Sequence, residues 1–220
     1  MPAKKKPADD TALKAKLLNA ALKHVVFDGF TDKALTRAMQ EVGADKDAVA
    51  RLFPQGPLSL VEAFSDSADA TMEAHLAAMD LKAMKIRARI SAAVMARIEA
   101  LRPHKDAARR AAAFLTLPPH AALGATLLYR TVDKMWRAAG DTATDFNFYT
   151  KRAILAGAYS STLMRWFTDT SAGETATSEF LAARIDNVMT FEKFKAEAKQ
   201  AFERLPPLSD VLAAFTVRRG

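Results

Sequence analysis

Residues 27–54 read FDGFTDKALTRAMQEVGADKDAVARLFP, and the turn signals inside this stretch decide the fold. FDGF is a turn, and Thr31 behind it can cap a helix that carries Leu35, Met39 and Val42 on one face. Gly43 closes that helix, because glycine reaches the left-handed conformation that ends helices at little cost. A short third helix, from about Asp47 to Phe53, stops at Pro54. Upstream, Thr11 to about Val26 repeats Leu13, Leu17, Ala21 and Val25 at helical spacing. Three short helices with a glycine turn between the last two read as a helix-turn-helix.

This opening resembles the DNA-binding domain of TetR-type repressors, where a Phe-Pro step follows the recognition helix. Phe53-Pro54 matches that step, and Leu58, Leu60, Val61 and Phe64 begin the next helix. The expected architecture is all-α and TetR-like. Residues 1–10 form a disordered tail, 11–57 a helix-turn-helix-like domain, 58–205 a larger helical lipid- or ligand-binding domain, and 206–220 a hinge with a short amphipathic helix. A DNA reader needs amides or bases on its recognition helix and cations against phosphate. ADKDAVARLF supplies Lys46 and Arg51 but sets Asp45 and Asp47 beside them, where the phosphate backbone repels them. The expectation is therefore a retained fold without nucleic-acid binding. A TetR-type ligand-responsive transcriptional repressor is the alternative.

Composition agrees with helices. Half of the 220 residues are hydrophobic, and only 8 are glycine. There are 0 cysteines, which removes disulfides and thiolate metal sites and fits a reducing compartment. The net charge of +7 suits a polyanion, an anionic membrane surface or an acidic partner. MPAKKKPADD has no apolar segment after it and lacks transit-peptide character. No stretch approaches about 20 uncharged apolar residues. The expected setting is a bacterial cytoplasm, with peripheral contact at the inner membrane.

Downstream, two helices lie between Leu58 and Leu101, parted near Asp80, the second carrying Ile86, Ile90, Val94 and Ile98. His104 to Leu115 is an Ala- and Arg-rich helix. Pro118-Pro119 opens another, to about Ala138, with Ala121, Ala125, Leu128, Val132 and Met135 on one stripe and Tyr129, Asp133 and Trp136 on a second. Thr142-x-x-Asp145 has capping-box spacing and starts a helix that runs to about Phe167. That helix lacks a polar face and should be buried, with Gly157 marking a close helix approach in preference to space for a ligand. A further helix starts near Ser178.

Catalytic chemistry is missing from this pattern. His24, His75, His104 and His120 make no i, i+4 pair, and there is no phosphate-binding glycine loop or nucleophile elbow. Asp141 and Asp145 sit where a helix N-terminus favours negative charge, and Asp133 can pair with Arg137 at i+4. No enzyme, metal or cofactor is expected. GDTATDFNFYTKR, residues 140–152, is the densest mixture of acids, aromatics and bases in the chain. Phe146, Phe148 and Tyr149 cannot all face one narrow side of a helix, so at least one of Phe148, Tyr149 and Trp136 should reach the surface.

Asp133-x-x-Trp136-x-x-Ala139-Gly140-Asp141, followed by Asp145-Phe146-Asn147-x-Tyr149-Thr150-Lys151-Arg152, resembles the coenzyme Q biosynthesis protein nine family, the lipid-binding accessory factors of ubiquinone synthesis. AALKHVVFDGFTDKAL, ARIEALRPH, the proline pair before His120 and FLAARIDNVM extend the likeness from about Leu13 to Lys195. The resemblance implies a homodimer that holds an isoprenoid lipid or quinone intermediate and presents it to the di-iron demethoxyubiquinone hydroxylase. It assigns the partner-facing patch to Trp136, Asp145, Asn147, Phe148, Tyr149 and Arg152. Eukaryotic members of the family carry Trp where this chain has Phe148. Membrane contact falls to the C-terminal segment through Leu208, Val211, Leu212 and Phe215. A long apolar tail leaves a bilayer readily only if an apolar cavity replaces its surroundings, at about 25 cal/mol per Å². The inward stripes offer Ile90, Val94, Ile98, Leu128, Val132, Met135, Leu155, Tyr159 and Leu163 as its lining.

Overall fold

The computed structural model of the protein describes residues 7–142 and 146–186. It contains α1 (Pro7–Asp28), α2 (Asp32–Val42), α3 (Lys46–Leu52), α4 (Pro57–Ala77), α5 (Ile86–Leu101), α6 (Lys105–Leu115), α7 (Ala121–Ala138) and α8 (Phe146–Phe167). Residues 175–186 form a further helix, α9. No strand occurs among the described residues. The C-terminal calls, Leu208, Val211, Leu212 and Phe215 with the hinge before them, lie outside the described residues, as does Asp145.

Local chemistry sets the first three helices. The Thr31 hydroxyl accepts the Ala34 N–H at the start of α2, and Gly43 ends it at φ 69°. Asp45 accepts the Ala48 N–H at 2.6 Å and so caps α3. One of the two acids that argued against a DNA reader thus also begins the helix. Leu17, Ala21 and Val25 of α1 are fully buried, packed chiefly on α2. Each buried Leu contributes about 1.5–3 kcal/mol over leaving it exposed.

The larger group of helices is organised by α4, which packs on α5 and α7 through Leu60, Val61, Phe64, Ala68 and Met72. In α5, Ile90, Val94 and Ile98 are buried as the repeat predicts, whereas Ile86 at the helix start is exposed. Two expectations about α8 are corrected. The helix is not buried all round, since Ala153, Gly157 and Met164 face solvent. Small side chains are neutral about exposure, so the lack of a polar face does not by itself bury a helix. Gly157 makes no close helix approach, because a Cβ there would meet nothing within 4 Å. Gly124 has that role: a Cβ on it would stand 3.0 Å from the Leu115 carbonyl oxygen, so glycine lets α7 approach the end of α6.

After α8 the chain is turned by Asp169, which is buried and accepts from the Ser171 and Thr177 backbone N–H groups and from both hydroxyls at 2.6–2.8 Å. These hydrogen bonds, those from Ser171 foremost, hold its carboxyl well below the usual carboxylate range. The carboxylate thus anchors the entrance to α9.

Candidate functional site

A cavity of about 440 Å³ lies among α4, α5, α6, α7 and α8, within the size range of small-molecule sites. It exists because short residues stand where longer ones would fill the space: Ala108, Ala111 and Ala112 on α6, and Ala121, Gly124 and Ala125 on α7. Val61, Phe64, Leu101, Leu127, Leu128 and Leu163 supply most of the apolar wall. Thr116, Ala121, Ala125 and Met164 are exposed lining residues and mark the mouth.

Of the nine residues expected to line it, Leu128, Tyr159 and Leu163 do so. Val94, Ile98, Val132 and Met135 are at most 1% exposed in the packed core and do not line the cavity. Ile90 and Leu155 instead border a separate apolar void of about 60 Å³ beside Trp136 and Ile185. Periodicity puts all of them on inward faces, and only the size of the residues opposite separates wall from core. The sequence reading missed the alanines of α6, which a run of three Ala in RRAAAFL signals.

It also missed one end of the cavity, which is polar. Arg97 is 4% exposed, and its Nε lies 2.9 Å from Oδ1 of the equally buried Asp69. Arg97 Nη2 donates to the carbonyl and hydroxyl oxygens of Ser65 at 3.2 and 3.1 Å. Thr131 donates to Asp69 at 2.9 Å. Burial raises the Asp69 carboxyl and the Arg97 charge opposes it. The Tyr159 phenol is also pushed up by burial, again opposed by Arg97. A buried arginine inside an Ile repeat was the available signal.

The described residues of 140–152 form a different kind of site. Arg152 is 2% exposed and reaches Asp133 Oδ1 at 2.7 Å through Nε, and Asp141 Oδ2 and the Phe148 carbonyl at 3.1 Å through Nη1. Its guanidinium carbon is 3.3 Å from the Phe148 ring centroid, a cation–π contact. Asp133 also pairs with Arg137 at i+4 as expected, and Asp141 with Lys151 at 2.7 Å. Trp136 Nε1 donates to the Lys151 carbonyl at 3.0 Å. Of Trp136, Phe148 and Tyr149, Tyr149 is the exposed one, at 65%, set edge-on to Phe148. The surface role expected for Arg152 is therefore corrected. It locks α7 to the first turns of α8, and Tyr149, Phe148 and Trp136 are what it positions. The side chain of Asn147 lies outside the described residues.

On α3, Arg51 is held by Asp10 of α1 through Nη2–Oδ1 at 2.8 Å. Among the described residues no three His, Cys, Asp or Glu side chains are grouped to hold a metal ion, and no single helix is long and apolar enough to cross a membrane.

Residues 121–192, which include α7, the ionic cluster and α8, match the family described as COQ9. The mitochondrial ubiquinone biosynthesis protein COQ9 of Rattus norvegicus is 31% identical over 198 residues, covering 86% of this chain and 63% of that protein. That of Bos taurus is 31% identical over 201 residues, covering 88% and 62%. The resemblance to the COQ9 family thus holds over most of this chain. The chain spans a little under two thirds of the length of these two COQ9 relatives. The COQ9 of Schizosaccharomyces pombe is 29% identical, covering 79% of this chain and 69% of that protein. In fold, the chain is similar to a TetR transcriptional regulator from Nitrosomonas europaea, with TM-score 0.64, 18% identity, and 80% and 97% of the two chains covered. The all-α, TetR-like expectation thus holds.

The bacterial cytoplasmic setting is overturned: these COQ9 relatives are named mitochondrial and come from eukaryotes. A cysteine-free composition and a charged amino terminus do not separate one reducing compartment from another.

Proposed function

We propose that this chain acts in ubiquinone biosynthesis as a non-enzymatic lipid-binding factor. It takes a quinone intermediate from a membrane and presents it to the demethoxyubiquinone hydroxylase, as a homodimer. The observation that carries this reading is the apolar cavity of about 440 Å³ in a chain whose relatives are named for ubiquinone biosynthesis. Leu128, Tyr159 and Leu163 contact the lipid. Trp136, Phe148 and Tyr149, with Asp145 and Asn147, face the hydroxylase, and Arg152 holds them in place. Leu208, Val211, Leu212 and Phe215 supply the membrane contact. Arg51 engaged by Asp10 and the acids at the start of α3 weigh against the repressor alternative. Tight, salt-dependent binding to its own upstream DNA in a gel shift would restore that alternative.

Solvent extraction of the purified chain followed by mass spectrometry tests the lipid reading, with a quinone or polyprenyl species expected. Ala111→Phe projects a ring into the cavity and lowers the recovered lipid at least about tenfold, without loss of thermal stability, because it fills space that is not packed. Equal lipid in both proteins, or none in the wild type, sinks the reading. For the docking surface, Tyr149→Ala weakens capture of the hydroxylase by about tenfold or more. Its own melting point moves little, since the side chain is exposed. Unchanged capture removes Tyr149 from the interface.

A further inference from the structure

One end of the cavity is polar and holds a buried arginine. Arg97 lines the wall and is 4% exposed; Nη2 donates to Ser65, and Nε forms an ion pair with Asp69 at 2.9 Å without hydrogen-bond geometry. Nε and Nη1 are both buried without a hydrogen-bond partner among the described residues, and of the two Nη1 also lacks the Asp69 ion pair that attends Nε. A guanidinium N–H left without an acceptor in an apolar enclosure is costly, so a ligand that supplies an acceptor oxygen there gains more than one that does not. Tyr159 lines the same end.

Charge decides which acceptor fits. The Arg97 charge is already balanced by Asp69 at 2.9 Å. The other cation near Asp69, Lys134 at 3.7 Å, stands closer to Glu73, at 3.0 Å. An anionic head would place a second negative charge beside Asp69 with no further cation to balance it. An uncharged carbonyl or ether oxygen accepts the Nη1 hydrogen without that cost. The position of the mouth sets the direction. Thr131, whose hydroxyl binds Asp69, is ten residues along α7 from Ala121 at the rim, about 15 Å at ~1.5 Å per residue. Between them the wall is apolar.

We infer that the cavity binds an amphipathic ligand head-first, with an uncharged ring-carbonyl or ether oxygen accepting from Arg97 Nη1 beside Tyr159 and the apolar tail running past Leu128 and Leu163 to the mouth at Ala125 and Met164. This inference rests on the lipid-binding reading and adds the headgroup class and its orientation. A further consequence is that the ring lies at the closed end, so it must travel out along the cavity to be handed on.

Equilibrium dialysis of the full chain against decylubiquinone, and against decylbenzene, which keeps a ring and tail but no oxygen, provides the test. The wild type binds decylubiquinone at least about tenfold more tightly. Arg97→Lys keeps a cation for Asp69 but loses the planar fork. It reduces that preference to about threefold or less while leaving decylbenzene binding unchanged. If Arg97→Lys folds poorly, the charge-balanced pair Asp69→Leu with Arg97→Met carries the same comparison. Equal loss for both ligands, or loss for neither, overturns the inference and leaves lipid binding standing. Tighter binding of decanoate than of decylubiquinone overturns the uncharged head. A wild type that binds neither probe overturns the lipid-binding reading and this one together.

Discussion

Arg152→Glu lowers the stability of the protein by about 3–5 kcal/mol, the cost of breaking a buried ion pair from one side. The melting midpoint then falls by roughly 10 °C for a chain of this size. The reason is geometric. Arg152 sits at 2% exposure between Asp133 and Asp141, and also bonds the Phe148 carbonyl. A glutamate would add a third carboxylate where two already meet. Arg137 and Lys151 would still attend Asp133 and Asp141, but from more exposed positions. Thermal melts followed by circular dichroism check this, and a midpoint within about 1 °C of wild type sinks the structural role. Any loss of hydroxylase capture in this variant follows from misplaced aromatics, whereas in Tyr149→Ala it reads the contact itself.

Asp69→Ala has a comparable effect, about 3–5 kcal/mol, because Arg97 keeps its charge in the core and loses its counter-ion. Replacing the pair, Asp69→Leu with Arg97→Met, recovers most of that loss, since two charges no longer need to be desolvated. Urea denaturation of the three proteins measures it, and a double variant as unstable as Asp69→Ala refutes the pairing account. The pH dependence carries a sign. Burial raises the folded Asp69 pKa above its unfolded value. The linked stability is therefore fully present below about pH 4 and is lost as pH rises through the raised value. The double variant lacks that component, so its stability falls less than that of the wild type over the same pH interval.

Much of the fold was legible because its signals are local. Thr31 and Gly43 act within a turn of where they stand, through a hydroxyl and a positive φ, whereas the Asp45 cap of α3 came only with the structure. Prolines fixed the starts of α4 and the segment before α7 in the same way. The helical repeat likewise gave the buried faces of α1, α4 and α5. The site was less legible. Val94 and Leu128 are both apolar residues at helical spacing, yet one is fully buried in the core and the other borders the cavity. What differs is opposite them: Leu128 faces a wall whose other side is built from the alanines of α6.

The sequence by itself determined that this protein is helical, where most of its helices begin and end, and that residues 140–152 hold its densest mixed chemistry. These follow from hydrogen bonds and spacing within a few residues. Only the tertiary structure decided that Arg152 is a buried clamp and Tyr149 a surface residue, that Arg97 holds the closed end of the cavity, and that a space remains between α6 and α7. Burial and empty volume are properties of what several distant segments leave between them, and no single segment encodes that.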